Sequence, residues 1–395
     1  MGWTPSERPA RGEIRYRPRL DVVGLFGPGR VRDMQSDADQ AQEPANPDPS
    51  RGEPRRHRAS TIRDVAEAAS VSTATVSKFV NGGKRFTREV ETRIERAIQE
   101  LGYSSNPMAR GMITGRTGNV GIVILDIRNP HFTSLVKGAS RVAAEAGLNL
   151  LFADAAESRA PELSVLQALC RRVDGLIVSA RLPQPVFDWL RKTGTPVVFY
   201  GGPPPQPGFQ SVGCDNRLTA FMLGRHLRDL GHRRVSYIGF GAARWSAERW
   251  QGLQDAFAGT ECSFRLFDVA APAAEEGERI ASRVLLGDDP PDAVVAFNDL
   301  IALGVLHEAR TLGFRVPEHL SIAGFDNIAY GRYVTPALTS VDMSSEAIGE
   351  VAMRRLIRMI SGGESLPTPD HEIMDSRLVV RGSTGARTSM TPNKP

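Results

Sequence analysis

The chain of 395 residues is 41% hydrophobic and 24% charged, values that are ordinary for a globular protein with two or three domains. No apolar run reaches the roughly 18 residues that a membrane span needs, and the cysteines (Cys170, Cys214 and Cys262) have no paired spacing that would indicate a disulfide framework or a zinc site. The formal net charge is +4, but the segment from Arg51 to Thr117 holds 13 Lys+Arg against 7 Asp+Glu, so we expect only this segment to meet a polyanion.

Residues 1–58 are rich in Pro, Arg, Asp and Gln and show no sustained periodicity, so we predict a disordered N-terminal extension. The extension has no apolar core of the secretory type, and the expected location is therefore the cytoplasm. Met34 is an alternative start of translation, because the residues before it show no fold signal. The basic cluster from Arg55 to Arg58 is either an arm that contacts phosphates or a solvated tail.

The stretch Thr61–Asn81, TIRDVAEAASVSTATVSKFVN, predicts two short helices joined by a tight turn. Thr61 and Asp64 form a capping-box-like start, and Ser72 is expected to cap the second helix. The exposed face of the second helix carries Thr73, Ala74, Ser77 and Lys78. Such a pair is a helix-turn-helix candidate whose second helix enters a DNA major groove, and the alternative is a capped hairpin in a larger helical protein.

A third helix is predicted to begin at the cap Thr87 and to end at Gly102. With it, residues 59–105 contain enough apolar positions for a small three-helix head. Asn106 and Pro107 then start a helix of about seven residues, which would be marginal in water by itself. We therefore expect residues 106–118 to be a hinge helix and linker that is ordered only by a partner.

From Val120 onward, apolar runs of buried-strand type alternate with helical stretches. The predicted strands of a first series are 120–126, 148–154, 175–180 and 196–200, and those of a second series are 234–240, 264–269, 293–297 and 321–325. Two such βαβ series predict two doubly wound lobes, with ligands at the carboxyl ends of the strands. The pieces after about residue 330 are too few for a third lobe, so the chain is expected to cross back and form a hinge. This body spans residues 119–385, and a flexible tail follows at 386–395.

Eight motifs occur in succession along the segments described above. They are TIRDVAEAASVSTATVSKFVNG, YSSNPMARGM, NPHF, SVGCDN, LGHRRVSYIG, AFNDLIALG, RVPEHLSIAGFDN and LVVRGSTG. From Thr61 to Gly385 the chain therefore resembles the LacI/GalR family of bacterial transcription regulators. The resemblance implies a helix-turn-helix head, a hinge helix and a body shaped like a periplasmic sugar-binding protein.

The resemblance also implies DNA contacts. Base-reading positions are matched by Thr73, Ala74 and Lys78, and phosphate-contacting positions by Thr61, Thr75, Ser77, Asn81 and Asn106. Ser72, the N-cap residue, is counted with the DNA contacts. Met112 stands where relatives insert a leucine into the minor groove, and its alternative role is a linker residue packed on the body. Ser70 replaces the usual glycine of the turn and is expected to adopt its conformation under some strain.

For the effector, the resemblance points to the cleft between the lobes. Ligand-binding positions are matched by His131, Phe132, Arg249, Asn298 and Asp326. Charged and amide groups that converge on a cleft suit a sugar or a related polyhydroxyl ligand. The alternative is that Arg249 and Asp326 pair with each other as a structural bridge. For Trp245 and Trp250 a packing role is favoured over stacking on a ligand.

The predicted protein is thus a repressor that binds a palindromic operator as a homodimer and responds to a small molecule. No catalytic residue, metal site or cofactor is predicted, because the first strand is followed by neither GxGxxG nor a P-loop. One rival interpretation is a nucleotide-dependent enzyme on a doubly wound fold, and the other is a periplasmic-type solute-binding protein. The identity of the effector, the operator sequence and the sign of the response stay open.

Overall fold

The computed structural model describes residues 60–80, 86–103, 116–156, 162–204, 207–362 and 371–387. Four predicted features lie outside the described residues. They are the N-terminal extension, the loop residue Asn81, the hinge helix with Asn106 and Met112, and the tail beyond residue 387. No helix in the described part of the chain is long and apolar enough to cross a membrane.

The head contains the three predicted helices, α1 (Ile62–Ala68), α2 (Thr73–Val80) and α3 (Arg88–Leu101). They enclose a small apolar core of Val65, Ala66, Ala69, Val76, Ile94 and Ala97. The capping box between Thr61 and Asp64 is confirmed, and the turn residue Ser70 has a φ of +53°, in the left-handed region as expected. Thr87 lies at the N-cap of α3 but its side chain makes no capping bond, so that part of the prediction is wrong.

The first lobe begins with five strands and three helices. They are β1 (Asn119–Ile124), α4 (Pro130–Glu145), β2 (Asn149–Asp154), α5 (Glu162–Cys170), β3 (Leu176–Ser179), α6 (Gln184–Thr193), β4 (Val197–Tyr200) and β5 (Gln210–Gly213). Four of these strands were predicted, whereas β5 was missed because QSVG is short and begins with a polar residue.

The second lobe follows from Asn216 to Asp342. Its elements are α7 (Asn216–Asp229), β6 (Arg234–Gly239), α8 (Arg244–Ala256), β7 (Ser263–Asp268), α9 (Ala274–Leu285), β8 (Ala293–Ala296), α10 (Asp299–Thr311), β9 (Ser321–Phe325), α11 (Tyr330–Tyr333) and β10 (Thr339–Asp342). The last elements are α12 (Ser345–Ile360), β11 (His371–Ile373) and β12 (Arg377–Val379).

Each lobe is built on a six-stranded sheet. The first has the order β11-β5-β4-β3-β1-β2, and the second has the order β12-β10-β9-β8-β6-β7. All neighbouring strands are parallel except β10 and β12. Because α12 packs on α4 and β11 pairs with β5, the chain passes between the lobes after Gly213, Asp342 and Ile373, which confirms the predicted return crossing.

The order of strands reverses between β1 and β3 in the first sheet and between β6 and β8 in the second. In doubly wound sheets ligands bind beyond the carboxyl ends of strands at this reversal. The loops after β1, β3, β6, β8 and β9 therefore face the expected site.

Helices α4 and α12 approach closely enough to require glycine at two positions. A Cβ atom on Gly138 would lie 2.0 Å from the backbone oxygen of Glu346, and one on Gly349 would lie 2.0 Å from the backbone oxygen of Leu135. This contact holds the start of α4 beside the start of α12, where His131 and Ser345 meet.

Candidate functional site

The first candidate site is the exposed face of α2 in the head. Thr73, Ala74 and Lys78 are exposed, whereas Thr75 and Ser77 are half-buried. The hydroxyl of Ser72 accepts a hydrogen bond from the Thr75 backbone N–H at 3.1 Å, which caps the helix. Small side chains at a capped helix start, followed one turn later by a cation, can approach base edges and phosphates closely.

The linker that follows the head enters the first lobe at Thr117 and Gly118. The Asp174 carboxylate accepts hydrogen bonds from the Thr117 backbone N–H at 2.6 Å, from the Thr117 hydroxyl at 2.9 Å and from the Gly118 N–H at 2.9 Å. The Arg116 guanidinium donates to the backbone oxygen of Ile360 at the end of α12. The start of the body is therefore tied to lobe 1 by side chains that sequence reasoning did not single out.

The second candidate site is the cleft between the lobes. It holds about 680 Å³ of space not filled by protein atoms, part of it open to solvent. Its walls include all five predicted effector residues, His131, Phe132, Arg249, Asn298 and Asp326. They also include residues that the prediction omitted or assigned to packing, among them Arg181, Tyr200, Asn216 and Trp245.

The first wall is formed by the start of α4. The side chain of Asn129 accepts a hydrogen bond from the His131 backbone N–H at 3.0 Å, and Pro130 occupies the first turn, so the helix begins at the mouth of the cleft. This start places the rings of His131 and Phe132 in an edge-to-face contact with centroids 4.9 Å apart. The Phe132 ring lies 6.2 Å from that of Tyr200.

His131 joins the two lobes. Its Nδ1 atom lies 2.7 Å from the Ser345 hydroxyl oxygen of lobe 1 and 3.6 Å from Oδ1 of Asp326 in lobe 2. The cross-lobe pair therefore involves Asp326, as the alternative interpretation proposed, but its partner is His131 rather than Arg249.

Burial opposes charge on both members of this pair. Burial lowers the pKa of His131, although the neighbouring Asp326 acts to raise it. Burial likewise raises the pKa of Asp326, against the opposing effects of His131, Arg249 and a hydrogen bond from Asn129. A ligand group that supplied charge or hydrogen bonds here would shift the protonation equilibria of both His131 and Asp326.

Arg249 is fully enclosed on α8, with only 4% of its surface exposed. Its Nε donates to Asn216 Oδ1 at 3.2 Å and its Nη1 donates to the backbone oxygen of Phe297. Its guanidinium carbon lies 4.3 Å from the Phe325 ring centroid and 5.0 Å from that of Phe297. The cation is thus held in place from several sides before any ligand arrives.

Asn298 lines the cleft but already has protein partners. Its Oδ1 accepts from the Ile301 backbone N–H at 2.9 Å, which caps α10, and its Nδ2 donates to the backbone oxygen of Pro272 at 2.9 Å. Both polar atoms of the Asn298 side chain are therefore already hydrogen-bonded to the protein backbone, and the residue caps α10.

Asp299 holds the loop that presents Asp326. Its carboxylate accepts hydrogen bonds from the Ser340 hydroxyl at 2.7 Å and from the Ile328 backbone N–H at 2.9 Å. Asp326 has a φ of +104°, which is strained for a residue with a side chain. Burial, with the negative charge of Asp326, raises the pKa of Asp299 well above its ordinary value. Asp299 belongs to the motif AFNDLIALG, but the sequence predicted no role for it.

The two tryptophans of α8 have different roles. Trp250 stacks on Tyr237 with centroids 6.0 Å apart and meets Phe264 edge-on, which confirms the predicted packing role. Trp245 instead lines the cleft.

Within the described residues, no cluster of three or more His, Cys, Asp or Glu side chains is arranged to hold a metal ion. The three cysteines are free; Cys214 is buried, and Cys170 and Cys262 are half-buried.

Comparison with known proteins gives two family matches. The family described as bacterial regulatory proteins, lacI family, matches residues 61–106, and a periplasmic binding protein-like domain matches residues 225–384. The chain is 30% identical over 333 residues to the HTH-type transcriptional repressor CytR of Escherichia coli strain K12, across 83% of this chain and 97% of that protein.

Solved structures show the same architecture. The transcriptional regulator CelR–cellobiose complex matches with a TM-score of 0.59 and 27% identity, over 82% of this chain and 99% of that one. The lac repressor dimer bound to operator and the anti-inducer ONPF matches with a TM-score of 0.74 and 22% identity, over 83% of this chain and 100% of that one. The second likeness concerns the fold alone.

Proposed function

This chain belongs to the LacI family of bacterial regulatory proteins, and we propose that it is a repressor that binds a palindromic operator as a homodimer under the control of a small polyhydroxyl effector. Its relative CytR is named as a transcriptional repressor. The observation that carries the proposal is the exposed, capped start of α2 in a chain that also has a two-lobed cleft with a buried cation, Arg249.

In the proposed DNA complex, Thr73, Ala74 and Lys78 contact base edges. Thr61, Ser72, Thr75 and Ser77 position the head on the backbone, together with Asn81 and Asn106. The Thr61 hydroxyl is already bonded to Asp64 Oδ2 at 2.8 Å, so its part in DNA binding is to place the start of α1. Met112 is the proposed minor-groove wedge.

The dimer proposal is supported by the edge strands β2 and β7. Each is the last strand of its sheet, and each exposes a large apolar side chain: 54% of Phe152 and 55% of Leu266 is accessible. Unpaired edges with apolar side chains favour burial against another chain. A two-fold contact between copies would cover both edges and present two heads to a palindrome.

The effector proposal is supported by the cleft, where Arg249, His131 and Asp326 converge beside Phe132 and Asn298. The cellobiose complex of CelR, a protein 27% identical to this chain, is consistent with a sugar-like ligand. Ligand binding would change the separation of the lobes at the crossings near Cys214, Met343 and Met374. The linker is attached to lobe 1, so this change would alter the spacing of the two hinge segments, with a coupling free energy of about 1–3 kcal/mol.

A solute-binding protein without a regulatory role is the competing function. It requires no exposed DNA-reading face, whereas α2 leaves Thr73, Ala74 and Lys78 open to solvent on a folded core. The DNA test therefore separates the two functions.

The test is selection of binding sites by the full-length protein from a randomised DNA duplex pool, followed by affinity measurement on the recovered sequence. We expect a palindromic site and a loss of affinity of about tenfold or more for Lys78→Ala. Arg96→Ala is the matched control, because Arg96 is an exposed cation of the same head that pairs with Glu100 on α3. Failure to enrich any sequence would reject the regulator, whereas equal affinities of wild type and Lys78→Ala on an enriched site would reject the proposed role of Lys78.

A further inference from the structure

One side of the cleft is apolar and largely aromatic. It is lined by Leu125, Phe132, Tyr200, Trp245, Met343 and Ile348. The Tyr200 hydroxyl donates to the backbone oxygen of Val123 at 3.1 Å, so the part of this side chain beside Phe132 is its carbon ring. This side of the cleft therefore provides ring surface rather than hydrogen-bonding partners.

Trp245 extends the aromatic side from lobe 2 onto lobe 1. A Cβ atom on Gly201, the residue after Tyr200, would lie 3.6 Å from Cη2 of the Trp245 indole. Gly201 has a φ of +92°, which disfavours any side chain, so the space above its backbone stays open for the indole. The indole is half-buried and lines the cleft with its remaining surface.

Three polar side chains of the cleft lie together, those of His131, Arg249 and Asp326. Arg181 also lines the cleft, and its guanidinium carbon lies 5.4 Å from the Phe240 ring centroid. The two amides nearby are engaged by the protein itself: Asn216 accepts from Arg249 and donates to the backbone oxygen of Cys214, and Asn298 caps α10. His131, Arg249 and Asp326 therefore offer a ligand hydrogen bonds at one part of the cleft, next to the aromatic side.

From this division we infer that the cleft binds a ligand in which a flat aromatic ring is joined to a hydroxylated ring, and that Trp245 selects the aromatic ring. A simple hexose has hydroxyls around its whole circumference, and those facing the apolar side would lose water without gaining partners. A ligand with one aromatic and one hydroxylated end satisfies both parts. The inference rests on the proposed use of the cleft as the effector site and names the class of ligand.

Two sources share this chemistry, nucleosides and aryl glycosides. The experiment is isothermal titration calorimetry of the full-length protein with two matched pairs of compounds. Uridine is compared with D-ribose, and 4-nitrophenyl β-D-glucoside is compared with D-glucose. The pair in which the ring-bearing compound binds more tightly than its parent sugar shows whether the ligand is a nucleoside or an aryl glycoside. The variants are Trp245→Ala, the conservative Trp245→Phe, and Trp189→Ala, which removes a partly buried tryptophan of α6 outside the cleft.

We expect one ring-bearing compound to bind at least about tenfold more tightly than its parent sugar. Trp245→Ala should remove about tenfold of that affinity, whereas Trp245→Phe and Trp189→Ala retain it. The inference is overturned if a parent sugar binds as tightly as its ring-bearing partner, if neither ring-bearing compound binds, or if Trp245→Ala binds like wild type.

Failure of the proposed regulatory function would look different. A ring-bearing compound that binds through Trp245 but leaves operator affinity unchanged would support the ligand class and reject effector control. If the protein binds its operator but neither ring-bearing compound, the regulator is supported and the ligand class is overturned.

Discussion

The Nδ1 atom of His131 in lobe 1 lies 3.6 Å from Oδ1 of Asp326 in lobe 2, so a titratable pair joins the two walls of the cleft. The same nitrogen is within 2.7 Å of the Ser345 hydroxyl, which fixes the ring on its own side. Because burial shifts the pKa values of both groups toward their neutral forms, proton binding is coupled to the approach of the lobes.

Replacing His131 by phenylalanine should change the pH dependence of folding stability. The pKa of His131 in the folded chain is lowered, so below the unfolded-state pKa of about 6.5 the unfolded chain binds a proton that the folded chain does not. Wild-type stability should therefore fall as pH drops through this value, by at most about 1.4 kcal/mol per pH unit. His131→Phe should show a shallower fall. The measurement is the free energy of unfolding by urea between about pH 5.5 and 7.5.

Asp326 changes the folding stability with pH in the opposite direction. Because its pKa is raised, the folded chain still holds a proton at pH values where the unfolded chain has lost it, so this contribution to stability falls as the pH rises. The relevant quantity is therefore the difference between the wild-type and His131→Phe curves. His307→Gln is the control, because His307 is an exposed histidine on α10. Parallel curves for wild type and His131→Phe would contradict the assignment.

Replacing Asp299 by alanine should loosen the loop that presents Asp326. The substitution leaves the Ile328 N–H and the Ser340 hydroxyl without their acceptor in a buried site, at a cost of about 2 kcal/mol. Asp299→Asn is the matched control, because an amide oxygen can still accept from Ile328 and an amide N–H can donate to Ser340. We expect the asparagine variant to lose less stability in urea unfolding. Equal losses in the two variants would rule out the hydrogen bonds as the cause.

Asp299 also shows how far the sequence predicts this site. Strands of parallel sheets read as apolar runs, so eight of the strands, β1 to β4 and β6 to β9, and the two lobes could be recognised without a structure. The roles of Asp299 and Asp174 could not, because their partners Ser340 and Thr117 lie 41 and 57 residues away along the chain. Arg249 entered only through family resemblance, since neither charge nor spacing shows that its partners are the backbone of Phe297 and the amide of Asn216.

Replacing Gly349 by alanine should destabilise lobe 1. The new methyl group would meet the backbone oxygen of Leu135 at 2.0 Å, and neither helix backbone can yield without separating α4 from α12. Overpacking of this kind costs about 3 kcal/mol. Gly287→Ala is the control, because the nearest atom to its Cβ would be the Arg283 oxygen at 3.3 Å. Urea unfolding measures both, and a loss for Gly349→Ala no larger than for the control would refute the close contact.

Replacing Asp174 by alanine should weaken operator binding without changing ligand binding in the cleft. Asp174 accepts hydrogen bonds from Thr117 and Gly118, where the linker from the head joins lobe 1. Without them this attachment is freer, and ordering it on DNA costs additional conformational entropy of about 1–2 kcal/mol per residue. We therefore expect operator affinity to fall by about tenfold. The measurement is fluorescence anisotropy on the selected operator, with Asp229→Ala as the control for loss of an exposed carboxylate. If Asp174→Ala retains wild-type operator affinity, the attachment does not limit how the head is positioned.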